Sequence, residues 1–277
     1  MKIKNHRLFN DDNTKVPFEA TNNKGEIIEP KYLIMHYTAT PSAENAINWF
    51  KNPRSKASAH LVISRTGKVT QLVPFNQKAW HAGISEWNNM VGMNNYAIGI
   101  ELENAGKLVR HTNDQWRAWF GGIYHNDEVM EATHKLEDKT AGWHIFTKEQ
   151  ISAAVEAALT IIDYYNLVDV LGHDDVSPYR KVDPGPAFPM MSFRSKVLGR
   201  FDDTSRLFET TTDLNIRSGP GSSYPTLDFG PLKENTRVEI LNSFDVWRYV
   251  QVVNHPAKAE ARGWVHGKYL QELDFIY

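Results

Sequence analysis

Hydrophobic and polar positions divide this chain into stretches of different period. Tyr32-Leu33-Ile34-Met35-His36-Tyr37 is an apolar run interrupted by one imidazole and closed by Thr38-Ala39-Thr40-Pro41. It predicts a buried strand that ends in a loop. Ser42 to Lys51 follows as a short helix, with Ser42 as N-cap and Ala46, Ile47, Trp49 and Phe50 on its apolar side. Ser58 to Ser64 and Val69 to Val73 are apolar runs flanking Arg65-Thr66-Gly67-Lys68, a hairpin signal. From Tyr96 to Asn104 the pattern alternates: Ile98, Ile100 and Leu102 face one way, and Gly99, Glu101 and Glu103 the other. Thr147 and Gln150 have capping-box spacing. Ile151, Val155, Ala158, Ile162 and Tyr165 then recur at helical spacing. A short strand at Val168 to Leu171 and a closing helix from Met191 to Phe201 complete this part.

Three segments depart from that regime. Residues 1–29 are polar and turn-rich, as in an arm laid over a domain. Residues 105–146 read as an insertion holding Trp116, Trp119, Phe120, Tyr124 and Trp143. Its histidines, His111, His125, His134 and His144, match no compact ligand spacing and are expected at the surface. The aromatics suit an ordinary small core or the wall of a substrate cleft. After about residue 204 only short alternating runs occur, among them Arg237 to Leu241, Trp247 to Val252 and Gly263 to His266. They predict a small all-β domain, a barrel, over 205–277.

Composition narrows the partners. Lys plus Arg number 31 against 33 Asp plus Glu, a formal charge of -2, which argues against a dedicated nucleic-acid binder. No cysteine is present, so a metal site must draw on His, Asp, Glu or backbone. No apolar run approaches the roughly 20 residues that span a bilayer. The basic N-terminus is not followed by an apolar core, so no secretory signal is expected. Aromatics at 12% suit a protein that holds a sugar or peptide against flat faces, although core packing accounts for most of them.

The chemistry concentrates in Gly172-His173-Asp174-Asp175-Val176-Ser177-Pro178-Tyr179-Arg180-Lys181-Val182-Asp183-Pro184-Gly185-Pro186. Its prolines and glycines specify a loop of defined shape. His173 and Asp183 offer one nitrogen and one oxygen suited to zinc, with Lys181 close by. Caps for a turn and a helix would use the same residue types. His36, a polar ring in an apolar strand, needs a partner, which a core hydrogen bond or a metal supplies equally well. Glu101 and Glu103 on one face of a strand need a wet edge, a cation or an active site.

Taken in order, His36, Ser58-Ala59-His60, Trp80-His81-Ala82-Gly83, Gly99-Ile100-Glu101-Leu102-Glu103 and Gly172-His173 through Lys181-Val182-Asp183-Pro184-Gly185-Pro186 resemble the zinc-dependent N-acetylmuramoyl-L-alanine amidases. That superfamily includes cytosolic muropeptide-recycling amidases and peptidoglycan recognition proteins. The resemblance covers about residues 30–200, apart from the insertion. It implies an α/β fold, a mixed central sheet flanked by helices, over 30–204. It also implies zinc held by His36, His173 and Asp183, Glu101 as catalytic carboxylate, and Lys181 as the basic group beside the metal. His60, Trp80 and His81 match positions on the substrate side of the cleft. The implied reaction is hydrolysis of the amide between the lactyl group of N-acetylmuramic acid and L-alanine, in peptidoglycan or muropeptides. The alternative is a relative that binds peptidoglycan without cutting it. Asn215-Ile216-Arg217-Ser218-Gly219-Pro220-Gly221 resembles the signature of a bacterial SH3-like domain, many of which bind cell-wall peptides. Such a domain favours action on the bacterial wall over cytoplasmic recycling.

Overall fold

The computed structural model describes residues 1–199, 207–253 and 261–273. Two compact units form. The first comprises Met1–Leu108, Ala118–Gly122 and His144–Gly185; the second comprises Val109–Arg117, Ile123–Trp143 and Pro186–Tyr277.

The first unit is built on a five-stranded mixed sheet. Its strands lie in the order Asp169–Gly172, Tyr32–Tyr37, Ala97–Leu102, Leu61–Ile63, Val69–Gln71. The first four run parallel, and the last closes the expected hairpin antiparallel to its neighbour. Pleating sends Tyr32, Ile34 and His36 to one face. Tyr32 and Ile34 pack there with Ala82, Met93, Ala97, Leu171 and Val176. Helix α1 (Ala43–Lys51) is capped as the sequence predicts, Asn45 N donating to the Ser42 side chain. It buries Ala46 and Phe50 against Ala59, Val62 and Leu72.

Helix α2 (Lys148–Tyr165) is also capped as expected, Gln150 N donating to Thr147 Oγ1. Its buried face differs. Gln150, Ala154, Ala157, Ala158 and Ile161 are buried, whereas Ile151, Val155, Ile162 and Tyr165 are only half-buried. The reason is Gln150. Its amide donates to Ile63 O and Glu103 O, both at 3.0 Å, and so turns a polar position inward. Small alanines along that face permit close approach. The N-terminal segment forms a hairpin of Lys2–Lys4 and Arg7–Phe9, and Lys24–Ile27 pairs with Gln77–Ala79. Leu8 and Val16 are buried and Gln71 Nε2 donates to His6 O, so this arm is part of the unit's body.

The insertion folds as a five-stranded sheet in the order Ile123–His125, Gln115–Arg117, Lys107–Arg110, Thr140–His144, Val129–Thr133. Two of its histidines correct the surface expectation. His144 is buried and its Nδ1 accepts from Ala105 N. His134 is buried beside Trp143 and its Nδ1 accepts from Leu136 N. A neutral imidazole can satisfy a loop N–H while packing like an aromatic ring, and histidine spacing carries no sign of that. Trp116 and Trp143 are core residues, whereas Trp119 is 77% exposed.

The remainder of the second unit carries a helix over Met190–Leu198; the expected end at Phe201 lies outside the described residues. So does the expected boundary at 204/205. Five antiparallel strands follow in the order Arg262–His266, Trp247–Val252, Arg237–Phe244, Leu207–Thr210, Leu270–Glu272. Leu214, Ile216, Leu232, Val238, Val250, Val252 and Val265 form their core. The insertion bonds to this region within the unit. Glu131 N donates to Ser218 O at 3.1 Å, and Ser218 Oγ to Glu131 Oε1 at 3.2 Å.

Candidate metal centre

Three parallel strands deliver the central groups side by side. Glu101 is the register partner of His36, and Gly172, which pairs with Met35, leads directly into His173. All three groups stand at the carboxyl ends of adjacent strands, where open sheets present ligands. His173 begins a one-turn helix, α3 (His173–Val176), within the stretch expected to be loop. Asp183 returns to that turn because Asp174 N donates to Asp183 O at 2.9 Å.

The donor atoms converge. His36 Nδ1 lies 3.0 Å from His173 Nδ1 and 2.9 Å from Asp183 Oδ2, and His173 Nδ1 lies 3.0 Å from the same oxygen. All three residues are buried. A carbonyl only accepts, so His173 Nε2–H donates to Ala82 O at 3.1 Å, and in the neutral ring this is the tautomer that leaves Nδ1 as an acceptor. Arg180 Nη2 also comes within 3.4 Å of His173 Nε2, but its two hydrogens are shared among three nearer oxygens, Ala82 O, Ile84 O and Ser177 Oγ, at 2.6–2.7 Å. A proton on His36 Nδ1 could meet one of the remaining contacts and not both. One cation about 2 Å from each atom meets all three.

The electrostatics agree. Burial, reinforced by the charge of His173, lowers the His36 pKa to about 4, so the ring is neutral near pH 7. Burial alone would raise the Asp183 carboxyl, but His173 and His36 outweigh it and hold the group well below its ordinary value. Burial, then the Asp183 charge, pushes Glu101 up to about 8, against the opposing pull of Lys181. Glu101 Oε2 is buried without a hydrogen-bond partner. A buried acceptor of this kind calls for a donor that the protein does not supply, such as a water. The residues therefore fit a metal held by three protein ligands, with the Glu101 carboxyl on the neighbouring strand in register with His36.

The other expected site residues separate. Lys181 is half-buried, and its charge reaches both His36 and Glu101. Trp80 is half-buried on the loop before His81. His60 is fully buried: its Nδ1 accepts from Gly99 N at 3.0 Å and its Nε2–H donates to Gln77 O at 2.8 Å. Both nitrogens are thus used by backbone, and the ring lies inside the unit. His81 is 9% exposed and lies behind His36, its Nδ1 3.0 Å from His36 Nε2.

Sequence reasoning missed the supports. Arg180 ties the His173 loop to Ala82 and Ile84. Asn94 Oδ1 accepts from His81 N and Ala82 N. Gly99 makes room for His81, whose Cγ would lie 2.5 Å from a Cβ there. A glycine inside an otherwise apolar strand was the one available signal of that close approach.

Comparison with known proteins agrees with this geometry. Residues 26–186 match the family profile described as N-acetylmuramoyl-L-alanine amidase. The chain is 31% identical over 186 residues to N-acetylmuramoyl-L-alanine amidase AmiD of Escherichia coli K12, covering 64% of this chain and 56% of AmiD. It thus spans little more than half of that relative's length. Identity to N-acetylmuramoyl-L-alanine amidase A of Achromobacter lyticus is 35%, over 66% of this chain and 92% of that protein. Among solved structures, a selenomethionine derivative of AmpD aligns at 22% identity and a TM-score of 0.49, covering 71% of this chain and 99% of that one. The ordered motifs, the convergent His-His-Asp set and the match across more than half of its residues agree that this chain belongs to the N-acetylmuramoyl-L-alanine amidase family.

Proposed function

We propose that the protein is a zinc-dependent peptidoglycan amidase that cleaves the bond between the lactyl group of N-acetylmuramic acid and L-alanine. The observation that carries this reading is the meeting of His36 Nδ1, His173 Nδ1 and Asp183 Oδ2 within 3.0 Å beside an unpartnered Glu101 oxygen. His36, His173 and Asp183 would hold the ion. Zinc bound there supplies Lewis acidity toward the amide carbonyl and toward a water.

The chain's own groups carry the proton. Glu101, whose Oε2 is buried without a hydrogen-bond partner, takes a proton from the attacking water in its ionised form, which a bound cation would favour, and returns it to the leaving amine. Lys181 faces the charge that develops on the carbonyl oxygen, which is larger in the transition state than in the bound substrate. His60 and His81, expected to bind substrate, are buried, with their ring nitrogens bonded to backbone groups and, for His81, to His36. The AmiD relative has been crystallised with anhydro-N-acetylmuramic acid-L-Ala-D-gamma-Glu-L-Lys, which supports a muropeptide as first substrate to try.

The region from Leu207 to Glu272 would be an SH3-like barrel that holds the enzyme to wall peptides. Its antiparallel sheet and apolar core support that reading, as does Gly263, where a Cβ would meet Ile216 of the signature stretch. Its partner is then the bacterial wall.

The test combines metal analysis with muropeptide cleavage on wild type and Asp183→Ala. One zinc per chain and release of L-alanyl amino termini, both lost in the variant, support the proposal. Bound zinc without cleavage of any muropeptide points to the recognition alternative. A folded wild type that takes up no zinc overturns it.

A further inference from the structure

We infer that His81 is a positioning residue, which fixes the tautomer of His36 so that Nδ1 is bare and aimed at His173 and Asp183. The inference rests on the metal reading above and extends it to a residue placed beyond the ligands.

Ala97 O accepts only, and His81 Nε2 lies 3.2 Å from it. His81 therefore carries its proton on Nε2. In the neutral ring this tautomer leaves Nδ1 as an acceptor. That acceptor faces His36 Nε2 at 3.0 Å. His36 Nε2 must then donate, and its Nδ1 keeps a lone pair. His173, whose Nε2 faces Ala82 O, turns its own Nδ1 to the same point, so the two neutral rings present lone pairs there.

The surroundings hold His81 in this role. Its ring lies across Gly99, where a Cβ would sit 2.5 Å from Cγ and 2.6 Å from Nδ1. Asn94 Oδ1 anchors the backbone of His81 at 3.0 Å. The neighbouring ring of His60 offers no competing bond, since both its nitrogens serve Gly99 and Gln77. The two ligand histidines are thus oriented by different devices: His173 by Ala82 O directly, and His36 through an intervening imidazole that ends on Ala97 O. Outer partners of this kind raise the basicity of a ligand ring and restrict its rotation, and their loss costs 10- to 100-fold in metal affinity. With 9% exposure His81 has little surface for a substrate, so this role replaces the one that sequence order suggests.

Two readouts test the inference on the full chain. The first uses the wild type alone: ¹⁵N chemical shifts of His36 in metal-free protein distinguish the two neutral tautomers. The expected result is a protonated Nε2 and a bare Nδ1. A protonated Nδ1 overturns the inference. The second is zinc affinity by chelator competition for His81→Asn and His81→Leu. Asparagine can place an oxygen where Nδ1 stands and still accept from His36; leucine cannot. The expected loss is about 10- to 100-fold for His81→Leu and markedly less for His81→Asn. Equal affinity in wild type and His81→Leu overturns the inference, whereas absence of zinc binding in wild type overturns the metal reading itself. If His81→Leu does not fold, the wild-type tautomer decides.

Discussion

Replacing Glu101 with glutamine separates the cost of this site from its use. The Glu101 carboxyl is raised from 4.5 to about 8, chiefly by burial and then by Asp183. Between those values the native protein holds a proton that the unfolded chain has released, so stability falls as pH rises through that window. At about 1.4 kcal/mol per pH unit, the loss between pH ~5 and ~7.5 is on the order of 3 kcal/mol. His36 and His60, both lowered to about 4 by burial, work in the opposite sense. They bind protons when unfolded and not when native, and so add stability as pH rises from about 4 to 6.5. A wild-type profile alone would therefore mix the two. The difference between wild type and Glu101→Gln isolates the carboxyl, because the variant keeps all the histidines. The assay is urea unfolding with a chelator present, at both pH values. The variant should match wild type near pH 5 and exceed it by about 3 kcal/mol near pH 7.5, while amide cleavage with zinc restored falls by roughly 10²–10⁴. Parallel stability profiles would refute the claim that Glu101 is held protonated by its surroundings.

Other substitutions probe the supports. Gly99→Ala forces His81 off its place, and is expected to cost about 1–3 kcal/mol in thermal or chemical unfolding and to weaken zinc binding. Trp116→Ala, in the core, should cost about 3–5 kcal/mol. Trp119→Ala should leave stability within about 0.5 kcal/mol, since the ring is exposed. Because Trp119 Nε1 donates to Ala39 O, three residues beyond His36, its loss should raise KM for muropeptides in a steady-state assay. Gln150→Leu removes the donor to Glu103 O, while Ile63 O keeps its bond from Glu103 N at 2.8 Å, and should lower unfolding stability by about 1–3 kcal/mol. Glu131→Ala removes the partner of Arg110, at 2.8 Å, and of Ser218, and should reduce stability by about 1–3 kcal/mol. That bond also makes deletion of residues 207–277 a poor test of wall binding, because it uncovers the insertion; point variants on the exposed strands are preferable.

What the sequence by itself determined is the local grammar and the identities of the chemical groups. The Tyr32–Tyr37 strand, the Val69 hairpin and the Ser42 and Thr147 caps were legible because alternation, turns and caps depend on neighbours a few residues away. The order of five motifs named the family and pointed to His36, His173, Asp183, Glu101 and Lys181. Tertiary structure decided what those groups face. His36 and Asp183 are 147 positions apart, and only the order of parallel strands sets His173, His36 and Glu101 side by side. His81 and His60 looked like cleft residues because motif order carries no information on depth; pairing with the Gly99 strand put both behind the metal ligands. The inward face of α2 turned on Gln150 finding two carbonyls, and the buried His134 and His144 on loop N–H groups that needed an acceptor. In each case a polar side chain went inside because its hydrogen-bond partner lay there, and that partner belonged to a different part of the fold.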